Sequence, residues 1–298
     1  MLDTAVCMPV SSSPKLERPK IFSHRDQISM AHRLTSRSWQ FAKRDFIEGV
    51  GAWHVWLPFG LKDIRQRYRR SRLGQFWISI STGIFIAGIG VLYAVLFKIP
   101  PHDYLPYLAV NYIVWLLMAG MANDSTAAFV EASAYLRQDA LPKTIYIMRV
   151  LVRNVTIFAH NLVVLPFIFL VFGFRASIAM LLVVPGLVLL LIAGFLTVLV
   201  SSLLSTRFRD FPQIVQSTLQ VAFFATPVMW APQQMGPIGW YFVHLNPFAI
   251  FLQLIAEPIR GKAPDLSLYV GAGIIICILL IFTLPFFARY RARVVYWL

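Results

Sequence analysis

The chain has 298 residues, of which 58% are apolar and only 13% are charged. This composition excludes an ordinary soluble domain and indicates a polytopic, all-α membrane protein. The formal net charge is +14. In a soluble protein that charge would suggest nucleic acid, but beside apolar spans it is better explained by anionic headgroups and membrane orientation. We therefore expect membrane lipids, and no nucleic acid, as partners.

The first 50 residues are polar and basic, and we expect them to form a cytoplasmic segment. Residues 1–25 are predicted to be disordered, and residues 35–50 are predicted to form a short helix. The first 30 residues contain no apolar h-region, which argues against a cleavable signal peptide.

Residues 56–77 are predicted to form a basic amphipathic helix that runs directly into the first apolar segment. Leu57, Leu61, Ile64 and Tyr68 recur at helical spacing and form an apolar stripe. The remaining surface carries cations, namely Lys62, Arg65, Arg67, Arg69, Arg70 and Arg72. Such a helix lies in the membrane interface, with the stripe at the acyl boundary and the cations at the headgroups. An ordinary juxtamembrane anchor is the alternative interpretation.

Runs without charged residues predict six transmembrane helices, because one crossing needs about 20 apolar residues. The runs are 73–97, 104–123, 154–174, 176–206, 211–256 and 266–288. The fifth run is too long for one crossing and is interrupted by prolines and glycines. We interpret it as a span to about Trp230 followed by a re-entrant extracytoplasmic hairpin to about Arg260. Irregular backbone at membrane depth must be buried in protein or line a wet cavity.

The distribution of Lys and Arg predicts that both termini are cytoplasmic. With this topology, all but four of the 27 basic residues lie inside, the exceptions being Lys98, Arg175, Arg260 and Lys262. The resulting organisation is a cytoplasmic segment (1–50), an amphipathic interface helix (51–75) and a six-helix membrane domain (76–298).

The chain carries no motif for catalysis or for nucleotide binding. It lacks a phosphate-binding loop, a zinc-protease motif, a nucleophile elbow and a Cys/His cluster. We therefore expect no catalytic residue, no metal and no bound cofactor. Arg149, Arg153 and His160 form a polar row at the start of the third span. The row favours either a contact with an anionic lipid-linked headgroup or snorkelling with an interhelical hydrogen bond.

Several stretches of the chain form an ordered set of motifs. They are D-I-R-x-R-Y-R-R-S-x-L-G-x-F-W at 63–77, Leu-Pro at 141–142 followed by Arg149, F-A-H-N at 158–161, T-R-F-R-D at 206–210, F-F-x-T-P-V-x-W at 223–230, L-N-P at 245–247 and R-Y-R-A-R-V-x-Y-W at 289–297. Together they resemble the permease subunit of ABC transporters that export polysaccharides such as O-antigen, teichoic acid and capsule. The resemblance covers about residues 50–298.

The resemblance implies a homodimer in the inner membrane of a bacterium, two copies of a cytoplasmic ATPase subunit that bind ATP and Mg²⁺, and a lipid-linked glycan as substrate. It implies that the basic helix is a gate at the substrate's entry. It also implies that the loop at 135–146 couples the permease to the ATPase, through Arg137, Gln138, Asp139, Leu141, Pro142 and Lys143. Spans one and five would line the conduit, and the aromatic residues expected there are Trp77, Phe85, Tyr93, Phe223 and Phe224.

Two other functions fit parts of the pattern. A drug or small-lipid exporter of the same permease type would have a narrow, closed conduit. A membrane-embedded glycosyltransferase or phosphotransferase would need clustered acids for a metal or a general base, and the sequence contains no Asp-x-Asp.

Overall fold

The computed structural model describes residues 36–69, 71–138, 141–172 and 177–298, and within these ranges the chain forms helices and no strand. The predicted disorder of residues 1–25 lies outside them. The α-helices, in chain order, are α1 (Ser36–Gly51), α2 (Trp53–Arg67), α3 (Phe76–Phe97), α4 (Pro101–Ser125), α5 (Ala128–Glu131), α6 (Ser133–Gln138), α7 (Thr144–Leu162), α8 (Val164–Phe172), α9 (Val183–Arg207), α10 (Phe211–Ala225), α11 (Ile238–His244), α12 (Pro247–Ile259), α13 (Leu266–Tyr290) and α14 (Val294–Trp297).

Five segments of the described chain are long and apolar enough to cross a membrane. They are Phe76–Phe97, Pro101–Ser125, Thr144–Phe172, Ile178–Arg207 and Leu266–Trp297. Each overlaps one predicted span. The third begins ten residues before the predicted start at 154, because Arg149 and Arg153 lie inside α7. Their charges are paired with acids, so a search for charge-free runs places this boundary too late.

The predicted fifth span corresponds to α10, which has only 15 residues. A helix of that length extends about 22 Å, less than the roughly 30 Å of a hydrocarbon core. After α10 the chain continues through α11 and α12, which meet at 95° and together form either a broken span or a re-entrant loop. By length and composition, the described chain therefore has five segments that could span a membrane, or up to six if the bent pair counts as one.

Helix α4 lies at the centre of the bundle. It packs against α3, α7, α9 and α12, and two thirds of its most apolar stretch is buried inside the protein. Gly90 of α3 allows a close approach, because a Cβ there would lie 3.1 Å from Leu105 of α4. By contrast α3 and α13 keep long apolar faces exposed, as helices that contact lipid do.

The predicted helix over 35–50 is present as α1, but the helix predicted over 56–77 is shorter than expected. Helix α2 ends at Arg67, and α3 begins only at Phe76. Between them the backbone forms turns, with bonds from Ser71 N–H to the Tyr68 carbonyl and from Gly74 N–H to the Ser71 carbonyl. Gly74 has φ of 56°, a left-handed conformation that glycine adopts readily and that interrupts a helix.

Candidate functional site

Two arginines and three acids form an ion-pair cluster where α2, α4, α5 and α7 meet. Asp63 of α2 accepts two hydrogen bonds of 2.7 Å from Arg149 of α7. Arg153, also on α7, donates to Asp124 of α4 at 2.8 Å and to Glu131 of α5 at 3.2 Å. The Arg153 residue is only 4% exposed, so its charge needs these partners.

The cluster explains how α2 is held on the bundle. Beside Asp63, Ile64 is buried against α7, and Gly60 lies so close to that helix that a Cβ would be 2.8 Å from Val152 Cβ and 3.0 Å from the Arg149 carbonyl oxygen. The residues of the apolar stripe predicted for this helix therefore lie in two environments: Ile64 is buried in the protein, whereas Leu61 is exposed.

The predicted polar row on α7 occupies two environments. Arg149 and Arg153 are paired with acids inside the ion-pair cluster. The His160 ring contacts the Thr156 carbonyl of its own helix at 2.8 Å through Nδ1, while its main-chain carbonyl accepts a bond of 2.6 Å from Ser79 of α3. An interhelical bond thus exists at this position, but it uses the backbone and not the ring. The headgroup contact predicted for the row stays a prediction.

The predicted gate cations surround a shallow cavity at the corner between α2 and α3. This cavity of about 450 Å³ is lined by Arg65, Tyr68, Arg72 and the turn from Ser71 to Phe76. Arg67 and Arg69 are exposed nearby, whereas Arg70 lies outside the described residues. The break that shortens the predicted helix is therefore what creates this concave, cationic surface.

The predicted coupling residues lie between α6 and α7. Arg137 and Gln138 are exposed at the end of α6, and Leu141, Pro142 and Lys143 are half-buried just before α7. Asp139 lies outside the described residues. Partial burial lowers the pKa of the Lys143 amine, although the nearby Asp45 carboxylate acts in the opposite direction.

Asp45 links this segment to α1, on which it lies, and to Arg291 near the C-terminal end. The sequence pattern did not indicate this role. Its carboxylate accepts hydrogen bonds from the backbone N–H groups of Lys143 and Thr144, at 3.2 and 3.1 Å. It also accepts from the Thr144 hydroxyl at 3.0 Å and pairs with Arg291 near the C-terminal end at 3.1 Å. The carboxylate thereby caps the N-terminus of α7, where negative charge is favourable.

Three of the five aromatic residues predicted for the conduit lie together. Phe85 of α3 stacks on Tyr112 of α4, with ring centroids 4.2 Å apart. Phe223 of α10 contacts the same Tyr112 at 6.4 Å and the adjacent Phe224 at 5.3 Å. Tyr93 lies in a second group of rings, beside Phe97. Trp77, 47% exposed, has no ring contact among those observed in the described chain.

A polar strip on α10 was not singled out from the sequence. Gln213, Gln216, Ser217 and Gln220 are all exposed and follow i, i+3, i+4 and i+7, which places them on one face with Phe224. The buried side of α10 is narrow, with Leu219 as its fully buried residue. The signal was available, because three glutamines recur at helical spacing within an uncharged apolar run.

Hydrogen bonds from side chains of α4 and from Asn246 fix the irregular segment after α10. The Tyr104 hydroxyl donates to the Met229 carbonyl at 2.7 Å, and the Tyr107 hydroxyl donates to the Trp230 carbonyl at 2.7 Å. The side chain of Asn246 donates to Thr226 Oγ1 at 2.9 Å and accepts from the N–H of Phe248 at 3.0 Å. These bonds satisfy backbone groups that regular structure would otherwise satisfy.

The described residues include no group of three or more His, Cys, Asp or Glu side chains arranged to hold a metal ion. Asp63, Asp124 and Glu131 are instead engaged with arginines, which suits a structural role better than acid–base chemistry.

Comparison with known proteins places this arrangement in a family. A sequence model described as ABC-2 type transporter matches residues 60–258. The chain is also similar to two proteins of Klebsiella pneumoniae, each named O-antigen export system permease protein RfbA. They are 22% and 21% identical over 190 residues, which cover 63% of this chain and 73% of each relative. The matched region runs from within α2 through α12, and the chain therefore belongs to the ABC-2 type transporter family.

Proposed function

We propose that this chain is the permease half of an ATP-driven exporter that moves a lipid-linked polysaccharide across the membrane. Membership of the ABC-2 family makes it a multi-pass membrane transport subunit and implies an ATPase partner. The polysaccharide is proposed from the similarity to two O-antigen export permeases, together with the surface chemistry of α10.

The polar strip on α10 is the observation that carries the proposal. Amide and hydroxyl groups that face hydrocarbon without partners cost free energy. Within the described chain no helix covers this strip, so a second protomer or water must do so. We infer a homodimer in which the strips of two protomers border an aqueous conduit. Uncharged amides exchange hydrogen bonds with sugar hydroxyls, and Phe224 on the same face offers a ring for stacking.

The cavity at the corner of α2 and α3 supports an entry for an anionic headgroup. Arg65 and Arg72 present guanidinium groups, which bind phosphate oxygens in a bidentate manner. Helix α2 is anchored by the Asp63–Arg149 pair, so its cations are held at a fixed place beside the first span. In this proposal α2 lies in the cytoplasmic membrane interface and acts as a gate, and the pair α11–α12 is a re-entrant loop on the opposite side.

The segment from Arg137 to Lys143 supports contact with the ATPase. Its exposed part, at the end of α6, precedes α7 by five residues in the chain, and α7 carries both arginines of the ion-pair cluster. Movement imposed on this segment would therefore reach α2 through Arg149 and Asp63. Replacing Arg137 and Gln138 by alanine is expected to uncouple ATP hydrolysis from export while leaving the permease folded.

The conduit is tested by replacing Gln216 and Gln220 together with leucine in cells that depend on this chain for export. Surface glycan should fall strongly and intracellular lipid-linked glycan should accumulate, because the wet face becomes apolar. Thr218→Leu is the matched control, since Thr218 is exposed on the neighbouring strip with Ile214 and Val221. Normal export by the double variant, at normal expression, would remove the basis of the proposal.

The entry is tested by Arg65→Glu combined with Arg69→Glu. Export should fall, because both substitutions place negative charge where an anionic headgroup would arrive. The conservative pair Arg65→Lys and Arg69→Lys keeps the charge and should retain more export. If the glutamate pair exports normally at normal expression, these cations do not guide the substrate.

A further inference from the structure

A deep apolar groove lies between α1 and the spanning helices, away from the corner cavity and from the polar strip. It encloses about 720 Å³ and is lined by side chains of α1, α7, α9 and α13. Phe46 of α1 forms one wall, where its ring meets Phe195 of α9 edge to face at 5.6 Å. Val188 and Leu284 form part of the outer rim and are half-exposed.

The lining of the groove calls for an apolar occupant. The groove is open along one side and its lining is almost entirely apolar, so its side chains lose dispersion contacts when no apolar group packs against them. Water does not solve the problem, because apolar cavities stay dry unless polar partners are available. Helices α9 and α13 belong to segments apolar enough to cross a membrane, so the rim of the groove opens towards hydrocarbon.

The charge at one end of the groove indicates what the occupant carries. Lys43 of α1 lines both the groove and the adjoining surface hollow with Arg44. Glu48 on the same helix is paired with Arg44 at 2.7 Å, and Asp45 is turned inwards to Arg291. The acids of α1 are thus paired with arginines, and Lys43 supplies a cation beside the apolar slot.

We propose that this groove is a binding site for an anionic phospholipid of the bilayer, with an acyl chain in the slot and the phosphate beside Lys43. The lipid completes the packing of α1 against the bundle. Helix α1 also carries Asp45, which fixes the start of α7, so an occupied groove stabilises the position of the segment from Leu141 to Lys143. The site is independent of what the chain transports.

Photolabelling tests the site with the full chain in phosphatidylcholine vesicles that contain a trace of phosphatidylglycerol carrying a diazirine on its acyl chain. Peptide mapping is expected to show labels on α9 around Val188–Leu199 and on α13 around Leu280–Phe287. Excess unlabelled phosphatidylglycerol should suppress the labels several-fold more than the same amount of phosphatidylcholine. Absence of labels from both stretches, or equal competition by the two lipids, would overturn the proposal.

Two pairs of variants distinguish a specific lipid-binding site from non-specific contact with the surrounding lipid. Val188→Trp should fill the slot and abolish the labels on α13, whereas Val184→Trp, one turn away on α9 and outside the groove, should leave them unchanged. Lys43→Gln should lower the preference for phosphatidylglycerol about fivefold, the usual effect of one cation near a membrane surface. Arg37→Gln, on the same helix but outside the groove, should change it little. If the two variants of either pair have equal effects on labelling or on lipid preference, the labels come from annular lipid only and the proposed site is refuted.

Discussion

The Asp63–Arg149 pair is expected to hold α2 on the bundle, and Asp63→Asn tests this with the smallest change of shape. The two side chains are only 11% and 16% exposed, so solvent screens their interaction weakly. The substitution removes one negative charge and replaces a bidentate pair by a single neutral acceptor. Arg149 then retains its charge in a place where its closest counter-charge has gone.

The magnitude follows from the geometry. Breaking a buried ion pair by removing one partner typically costs about 3–5 kcal/mol. Two features reduce that figure here: the asparagine oxygen can still accept one hydrogen bond, and Glu131 remains in the same cluster, where it pairs with Arg153 at 3.2 Å. We expect the docking of α2 to weaken by about 2 kcal/mol, which corresponds to a factor of about 30 in the undocked population.

Hydrogen–deuterium exchange read by mass spectrometry reports the docking of α2 directly. Peptides from Trp53–Arg67 should exchange about 30-fold faster in Asp63→Asn, while peptides from α4 should not change. Lys62→Gln, on the exposed side of α2, is the control. Arg149→Met should also accelerate exchange, and the double variant should be less affected than the sum of the two, because no stranded charge remains. Unchanged exchange in Asp63→Asn, or strictly additive effects, would refute the reasoning.

Three further predictions concern contacts that hold the bundle together. Asp45→Ala should lower the free energy of unfolding by about 3 kcal/mol, because it removes a buried carboxylate from the partly buried Arg291 and from the first N–H groups of α7. Thermal denaturation measures this, and Glu48→Ala, in an exposed pair, should have little effect. A melting temperature for Asp45→Ala equal to that of the control would contradict this. Asn246→Ala should cost about 2 kcal/mol, since it removes the N-terminal cap of α12 and its bond to Thr226; Asn246→Asp should recover part of the loss, because it keeps the capping acceptor. Gly60→Leu should separate α2 from α7 and accelerate exchange in α2, and protection equal to wild type would show that the close approach is unnecessary.

The resemblance found in the sequence indicated the correct family. The motifs that carry it have definite structural roles. The L-N-P motif is the clearest example: Asn246 caps α12 while tying it to the end of α10, and Pro247 occupies the first turn, where a missing N–H costs nothing. The first arginine of the basic motif at 63–77, Arg65, lines the corner cavity. The acid of the same motif, Asp63, pairs with Arg149, the arginine that follows the Leu-Pro loop.

The shortened α2 and the early start of α7 show where the sequence pattern alone predicted the wrong helix boundaries. Periodicity continues through Tyr68, but the helix ends at Arg67, and the turns at Ser71 and Gly74 keep α2 from continuing into α3. Charge-free runs placed the third span too late, because they treat every arginine as solvated. Arg149 and Arg153 lie inside a helix because acids from α2, α4 and α5 meet them.

Composition and the positions of apolar runs, glycines and prolines determined that this chain is a helical membrane protein, where its long apolar segments lie, and which family it resembles. Those features are local, since helix formation in hydrocarbon requires only about 20 consecutive residues that bury their own backbone. The tertiary structure decided which charges are paired, which faces stay exposed and where grooves remain. Asp45 and Asp63 are 98 and 86 residues from their principal partners, and no spacing within the chain reveals contacts at that separation.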